Sequence, residues 1–496
     1  LTLRTLWLAV CVALGAVASQ YLLYAASALV FPFGLDYSEG LMWQQALWLG
    51  GPHLYGETAH FPFLVCDYPP LYLIAVRAAG LFGFSLLHTG RAISVLSTLA
   101  TCLLLGATTH RICLAAGNRQ AAVFAGLVAA MLPLTLLPII SWSVLMRVDN
   151  LALALTLGGI LLAGLSFRRP ALIYPALLVF VAAAFTKQNF LAGAVSMFPI
   201  CLLRAPKHTL RAYAAGGALG LALIGLLQYI TEGRFLLHVV AYAADSTNLA
   251  VALRETLKWL AGYPIFALLT LCAVIIAWRR TLAEPGRPSL LELIRTREDY
   301  AWLGFLTLYL LLTTAMLVTA GKTGAAPNYF LEWMACWCLW IGWLTGQTLD
   351  ATPPARFAWL IPAAMLLQIF PVYLGVHAMR AQQFSQTRRD EWGALLERVR
   401  NIPGPLLSDD MVLVIQTGRE VQMEPGILLE MAHTGQWNEQ LLIDKLHAHY
   451  FGAVITAYDP GNPTFDARYL PKTQAAMLQA YPHVERFGDY RLRLAD

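Results

Sequence analysis

Asp36-Tyr37-Ser38-Glu39-Gly40 stands just beyond the first long apolar segment, residues 5–31, and places two carboxylates three residues apart at its end. Asp67-Tyr68-Pro69-Pro70-Leu71 follows in the same loop, before the next apolar run. Acids are scarce in this chain, yet Asp36, Glu39, Glu57 and Asp67 share one loop at what the flanking apolar runs mark as a membrane edge. Such a loop reads as a reaction centre built on a membrane surface.

The rest of the chain supports the membrane setting. Of 496 residues, 58% are hydrophobic and 13% charged, and the mean hydropathy is +0.59, the composition of a polytopic membrane protein. Residues 1–378 hold 22 Lys/Arg and 14 Asp/Glu, whereas residues 379–496 hold 12 and 15 in a much shorter stretch. A membrane domain, 1–378, followed by a soluble tail domain, 379–496, is expected. The eight cysteines lie in or beside apolar segments and show no Cys-x-x-Cys zinc spacing. The net charge of +5 is scattered over helix ends, which excludes a nucleic-acid partner.

A span needs ~20 apolar residues, fewer where protein shields the ends. Eleven are expected, near 5–31, 89–109, 120–140, 149–167, 170–186, 189–204, 211–230, 260–278, 300–320, 330–349 and 357–377. The fifth and sixth are short and meet at Thr186-Lys187-Gln188, and residues 69–84 read as a helix lying on the surface. With the amino terminus inside, fourteen Lys/Arg fall on one face and eight on the other. The richer face is cytoplasmic by the positive-inside rule, which puts the tail and nine of the fourteen acids of residues 1–378 outside. The tail reads as a small α/β domain, with strands at 411–415, 453–456 and 490–494 and helices at 389–399 and 440–449. Asp409-Asp410 is expected to be solvated.

Four polar clusters converge on the outer face: the loop 32–88, Arg147-Val148-Asp149-Asn150, Lys187-Gln188-Asn189, and Gly321-Lys322-Thr323-Gly324 with Asn328, Tyr329 and Glu332. A charge at the edge of hydrocarbon costs several kcal/mol unless paired or solvated, so each is a functional candidate. The bland alternatives are helix capping for Asp36 and Glu39, snorkelling for Arg147, and a solvated lid for Glu232, His238 and Asp245 in the loop 231–259. Carboxylates facing cations suit glycosyl transfer from a lipid-linked phosphosugar. The acceptor hydroxyl needs a base, while the lipid phosphate leaves as an anion that needs only positive charge to hold it. Nucleotide sugars are cytoplasmic, so an outer-face enzyme draws on a donor already moved across the bilayer.

The acidic first loop, Pro69-Pro70-Leu71, Arg91, Asp149 and the Lys187 turn together resemble the GT-C superfamily of integral-membrane glycosyltransferases. The likeness is to the bacterial branch of protein O-mannosyltransferases and lipid A aminoarabinose transferases, over roughly residues 1–350. It implies a helical bundle with surface helices, a polyprenyl-phosphate sugar donor, a hydroxyl acceptor on a glycan, lipid or protein, and usually an inverted product. It implies Asp36 as the general base, with Glu39 beside it in the catalytic loop. Where a divalent metal (Mg or Mn) is used, Asp36 and Glu39 would hold it. Substrate contacts then fall to Asp67, Tyr68, Arg91, Arg147, Asp149, Lys187, Gln188, Lys322, Asn328, Tyr329 and Glu332. Two departures stand out: the family's loop acids are adjacent or one residue apart, and the residue before Pro-Pro-Leu is often basic where this chain has Tyr68. The competing function is a transporter or flippase of a lipid-linked sugar, which would place charges at mid-membrane and show repeats.

Overall fold

The computed structural model describes residues 3–496 except 63, 118, 243–246, 287, 323 and 351–357. Asp245 and Thr323, named above, and Arg287 and Arg356, two of the fourteen Lys/Arg counted on the richer face, lie outside the described residues. Each of the eleven expected spans contains a helix. Among the described residues, six helices are long and apolar enough to cross a membrane, or seven if a bent pair counts as one. The shortfall has a physical basis. Asp149–Leu165, Ile173–Thr186 and Ala192–Arg204 are short, and Leu331–Asp350, rich in tryptophan, is buried almost all round, as a central helix must be. By contrast Pro206–Ile230 buries only Thr209, Ala212 and Gly216 and exposes Leu221 and Ile230.

The bent pair is Arg119–Thr135 and Leu137–Ser143, which meet at 73°. Pro133 and Pro138 fall within the first two residues of the short elements on either side of the break, Leu132–Thr135 and Leu137–Ser143, where each lacks the N–H that would carry the helix through. The bend directs the chain from Val144 to Val148 across one end of the bundle. The short helices stop at that same end, so Lys187, at the carboxyl end of Ile173–Thr186, sits below the surface with 4% exposure.

The first loop forms the helices Glu39–Trp48 and Leu71–Gly80. The second is the expected surface helix, opened by Pro69-Pro70. In the tail, β1 (Leu406–Ser408), β2 (Ala453–Ala457), β3 (His483–Phe487) and β4 (Tyr490–Leu494) make one sheet in the order β1-β2-β4-β3. β1 runs parallel to β2, with Leu407 opposite Val454, and the other pairs are antiparallel.

The expected strand at 411–415 is instead the helix Met411–Gln416. A five-residue apolar run does not distinguish buried strand from buried helix, and Asp410 decides it: Oδ1 accepts the Leu413 N–H at 3.0 Å as an N-cap. Nor is Asp409-Asp410 solvated. Asp409 is 2% exposed, and its carboxylate accepts from the Ala457 N–H at 2.7 Å and the Tyr469 hydroxyl at 2.9 Å and pairs with Arg468 at 2.9 Å.

The tail packs directly on the first loop. Leu41, Met42, Ala46 and Trp48 share one core with Leu395, Leu406, Val412 and Ile455. The contact is closest at Gly40, where an added Cβ would lie 2.5 Å from the Met411 backbone. Polar contacts pin the same face: Trp48 donates to Glu420 at 2.5 Å, the Val421 N–H to Gln44 at 3.1 Å and the Gly426 N–H to the Tyr37 hydroxyl at 3.0 Å.

Candidate active site

Between the end of the bundle, the first loop and the tail lies a cavity of about 900 Å³. Asp67, Tyr68, Arg147, Lys187, Gln188, Lys322, Asn328 and Tyr329, all singled out in the sequence, line it. They come from four segments that the bend, the Lys187 break and the turn before Leu331 bring to one level.

Asp149 organises the floor. Fully buried, it accepts from Lys187 Nζ at 2.5 Å and Asn328 Nδ2 at 2.8 Å through one oxygen, and from Trp142 Nε1 at 2.9 Å through the other. Arg147 Nε lies 3.9 Å from it, an ion pair but no hydrogen bond, and that nitrogen is buried without a hydrogen-bond partner. Lys187 Nζ also faces the rings of Tyr68, Phe190 and Tyr329 at 5.6, 5.8 and 5.4 Å, contacts that hold an ammonium by its attraction to ring faces. Two cations, each anchored on one side by Asp149, thus line the cavity. The departure at Tyr68 has a local counterpart here, since its ring flanks a lysine supplied by another segment.

Asp36 stands at the margin. It does not line the cavity, but its neighbours Tyr37 and Ser38 do, and it pairs with Arg147 at 3.6 Å while accepting the Ser38 N–H at 3.0 Å. Burial raises its pKa, against the pull of Arg147. Asp67 is in the wall, with one oxygen buried and unpaired. Burial pushes its carboxyl up, with Arg147 and Lys187 opposing.

Glu39 and Arg91 do not reach the cavity. Both are 0% exposed. Glu39 accepts Arg91 Nε at 2.8 Å and the Met146 N–H at 2.9 Å on one oxygen, and Arg91 NH2 and the Leu35 N–H, each at 2.7 Å, on the other. Four donors fill the lone-pair sites of a carboxylate. Arg91 spends its remaining N–H groups on the carbonyls of Ala28, Phe31 and Phe33. The pair therefore ties the end of the first helix to the loop, and the placements of Glu39 in the catalytic loop and Arg91 on phosphate are corrected accordingly. A cation held jointly by Asp36 and Glu39 does not fit either, because Glu39 has no lone pair to offer. Among the described residues no group of three or more His, Cys, Asp or Glu is arranged to hold a metal. Glu332 sits deeper, in a small hollow with Phe190, Asn328 and Tyr329.

The loop 231–259 contributes Val239, Val240 and Tyr242 to the wall. His238 is not solvated: it is 1% exposed, accepts the Cys66 N–H at 3.1 Å and bonds the Gly56 carbonyl at 2.8 Å. Burial lowers its pKa to about 4, so it fastens this loop to the first one as a neutral ring.

Sequence reasoning missed the tail's share. Glu424, Gly426, Glu430, Thr464 and Arg468 complete the lining. Arg468 stacks on Tyr37 at 4.3 Å while paired to Asp409. Glu424-Pro425 has the composition of an ordinary helix start, and nothing in the sequence brings it near residue 67.

The fold is shared with ArnT from Cupriavidus metallidurans. The structure of ArnT bound to undecaprenyl phosphate matches with TM-score 0.58 and 12% identity over 96% of this chain and 97% of that one. The apo state matches with the same score and identity over 99% and 98%. The archaeal oligosaccharyltransferase AglB from Archaeoglobus fulgidus gives 0.44 and 12% over 94% and 72%. No family model matches the chain, and no curated protein matches it by sequence. The chain is therefore a polytopic helical membrane protein with the fold of ArnT.

Proposed function

We propose that this protein transfers a sugar from a polyprenyl-phosphate donor to a hydroxyl acceptor at the outer face of the bacterial cytoplasmic membrane, with inversion. The observation that carries the reading is the pair of anchored cations, Arg147 and Lys187, lining one cavity with carboxylates. The fold shared with a protein solved in complex with undecaprenyl phosphate supports it. The donor phosphate sits against Lys187 and Arg147, with Lys322 at the rim and the sugar directed into the cavity.

Arg147 now pairs with both Asp36 and Asp149. A phosphate draws a guanidinium strongly, through paired N–H···O bonds, so donor binding loosens Arg147 from Asp36 and leaves that carboxylate available as base. The acceptor oxygen attacks the anomeric carbon, the carbon–oxygen bond to phosphate breaks, the proton passes to Asp36, and polyprenyl phosphate leaves as an anion held by the cations. The amino terminus lies inside and the tail outside.

Reconstitution into vesicles with polyprenyl-phosphate sugars tests this. Asp36→Asn keeps the shape but accepts no proton, and turnover should fall about 10²–10⁴-fold. Undiminished turnover removes Asp36 from the base role. An outer-compartment reporter fused after Asp496 should be active, whereas activity of a cytoplasmic one there would overturn the orientation and the donor with it.

A further inference from the structure

The cavity's unpaired polar atoms are mostly acceptors. Asp67 Oδ1, Glu424 Oε2, Gln188 Oε1 and Asn328 Oδ1 are all buried without a partner, and their residues all line the cavity. The amide orientations are set by the network. Gln188 Nε2 donates to the carbonyls of Asp67 and Val239 at 2.8 and 3.2 Å, and Asn328 Nδ2 donates to Asp149 at 2.8 Å, so the oxygens are left over. A buried acceptor without a donor costs about 1–3 kcal/mol. A ligand that relieves this must bring hydrogen-bond donors, which a phosphodiester does not have and a sugar ring does.

Glu424 is the most telling of these groups. It is 8% exposed and precedes the helix Pro425–His433, yet makes no capping hydrogen bond to that helix. Its ordinary structural task is left undone, and its charged surroundings begin with Asp67 and Arg147.

We infer that Glu424, supplied by the tail, joins Asp67 to hold the hydroxyl groups of the sugar carried by the donor, so that the tail selects the sugar transferred. This deepens the glycosyl-transfer reading and rests on it. The donor sugar is the fitting occupant because it lies one bond from the phosphate, and Arg147, the phosphate's proposed partner, exerts the strongest cationic pull on both carboxyls. Burial raises both carboxyls and repulsion from Asp67 adds to the rise at Glu424, which favours one proton on the pair. A carboxyl–carboxylate pair both donates and accepts, as hydroxyls do, whereas a cation would need both groups ionised.

The test is equilibrium binding to the full chain in nanodiscs, using undecaprenyl phosphate and the same lipid carrying glucose, mannose, galactose or a pentose. Wild type should bind undecaprenyl phosphate and at least one sugar-bearing lipid more tightly. Glu424→Ala should weaken that sugar-bearing lipid about tenfold or more, and change undecaprenyl phosphate by less than about twofold. Glu424→Gln, which keeps the shape and one acceptor, should lose less and melt like wild type. Equal weakening of both lipids by Glu424→Ala, or no weakening of either, overturns the sugar contact. A wild type that prefers no sugar-bearing lipid overturns it as well, and one that binds none of the lipids overturns the polyprenyl-phosphate reading itself.

Discussion

Glu39 with Arg91 and Asp149 with Lys187 are both buried carboxylate–cation pairs near one end of the bundle, and they serve different ends. In the first, the carboxylate holds four donors and the guanidinium spends every N–H group. In the second, Asp149 accepts three hydrogen bonds, but its cations keep capacity: Lys187 has aromatic faces and open cavity around it, and Arg147 keeps an unpaired nitrogen. A buried ion pair reads as a fastening when both partners are saturated, and as a binding site when the cation retains capacity facing a space large enough for a ligand.

The largest effect expected from this contrast is on stability. Glu39→Gln leaves Arg91 as an uncompensated buried charge and should destabilise the protein by about 3–5 kcal/mol, read as early unfolding in detergent. Turnover per folded molecule should hold, and a Glu39→Gln protein that melts normally but fails to turn over would restore Glu39 to the chemistry. Lys187→Ala should instead lower turnover roughly 10²–10³-fold, the usual cost of removing one electrostatic contact to a developing anion. It should weaken donor binding more than Glu39→Gln does, and the reverse ranking would collapse the distinction between the two pairs.

A smaller effect probes the face on which the tail rests. At Gly40 an alanine methyl would enter the Met411 backbone, an overpacking that should cost about 1–3 kcal/mol. Limited proteolysis should then release the tail faster, and unchanged release would show that the tail does not depend on this contact.

The smallest effect is in pH. Asp67 is pushed up to about 7, by burial first, from an unfolded value near 3.9. A raised carboxyl makes the folded state hold the extra proton between those values, so its stabilising contribution is present below about pH 4 and lost as pH rises through 7. The melting temperature should fall by about 3 °C from pH 5 to pH 8 on this account. The comparison with Asp67→Asn isolates the contribution, and an identical slope in that variant would remove Asp67 as its source.

The fold was legible to a large extent. Apolar runs located all eleven helical segments, and Pro69-Pro70 marked the start of the surface helix Leu71–Gly80. The tail was partly misread, because its runs are too short for periodicity to settle and an N-cap at Asp410 outweighs the apolar pattern of 411–415. Of the candidate site, the four clusters do meet at one cavity, but two members, Glu39 and Arg91, are turned inward to each other across 52 residues of chain, and the tail's Glu424 was not anticipated.

The sequence by itself determined that this chain lies in a membrane and which loops carry its polar chemistry. Hydrophobic transfer is local and nearly additive, so a window of residues reveals it. Only the tertiary structure decided which ionisable groups are spent and which remain open. Whether a carboxylate can act depends on how many donors already fill its lone pairs, and those donors arrive from segments whose separation in sequence carries no trace of the contact.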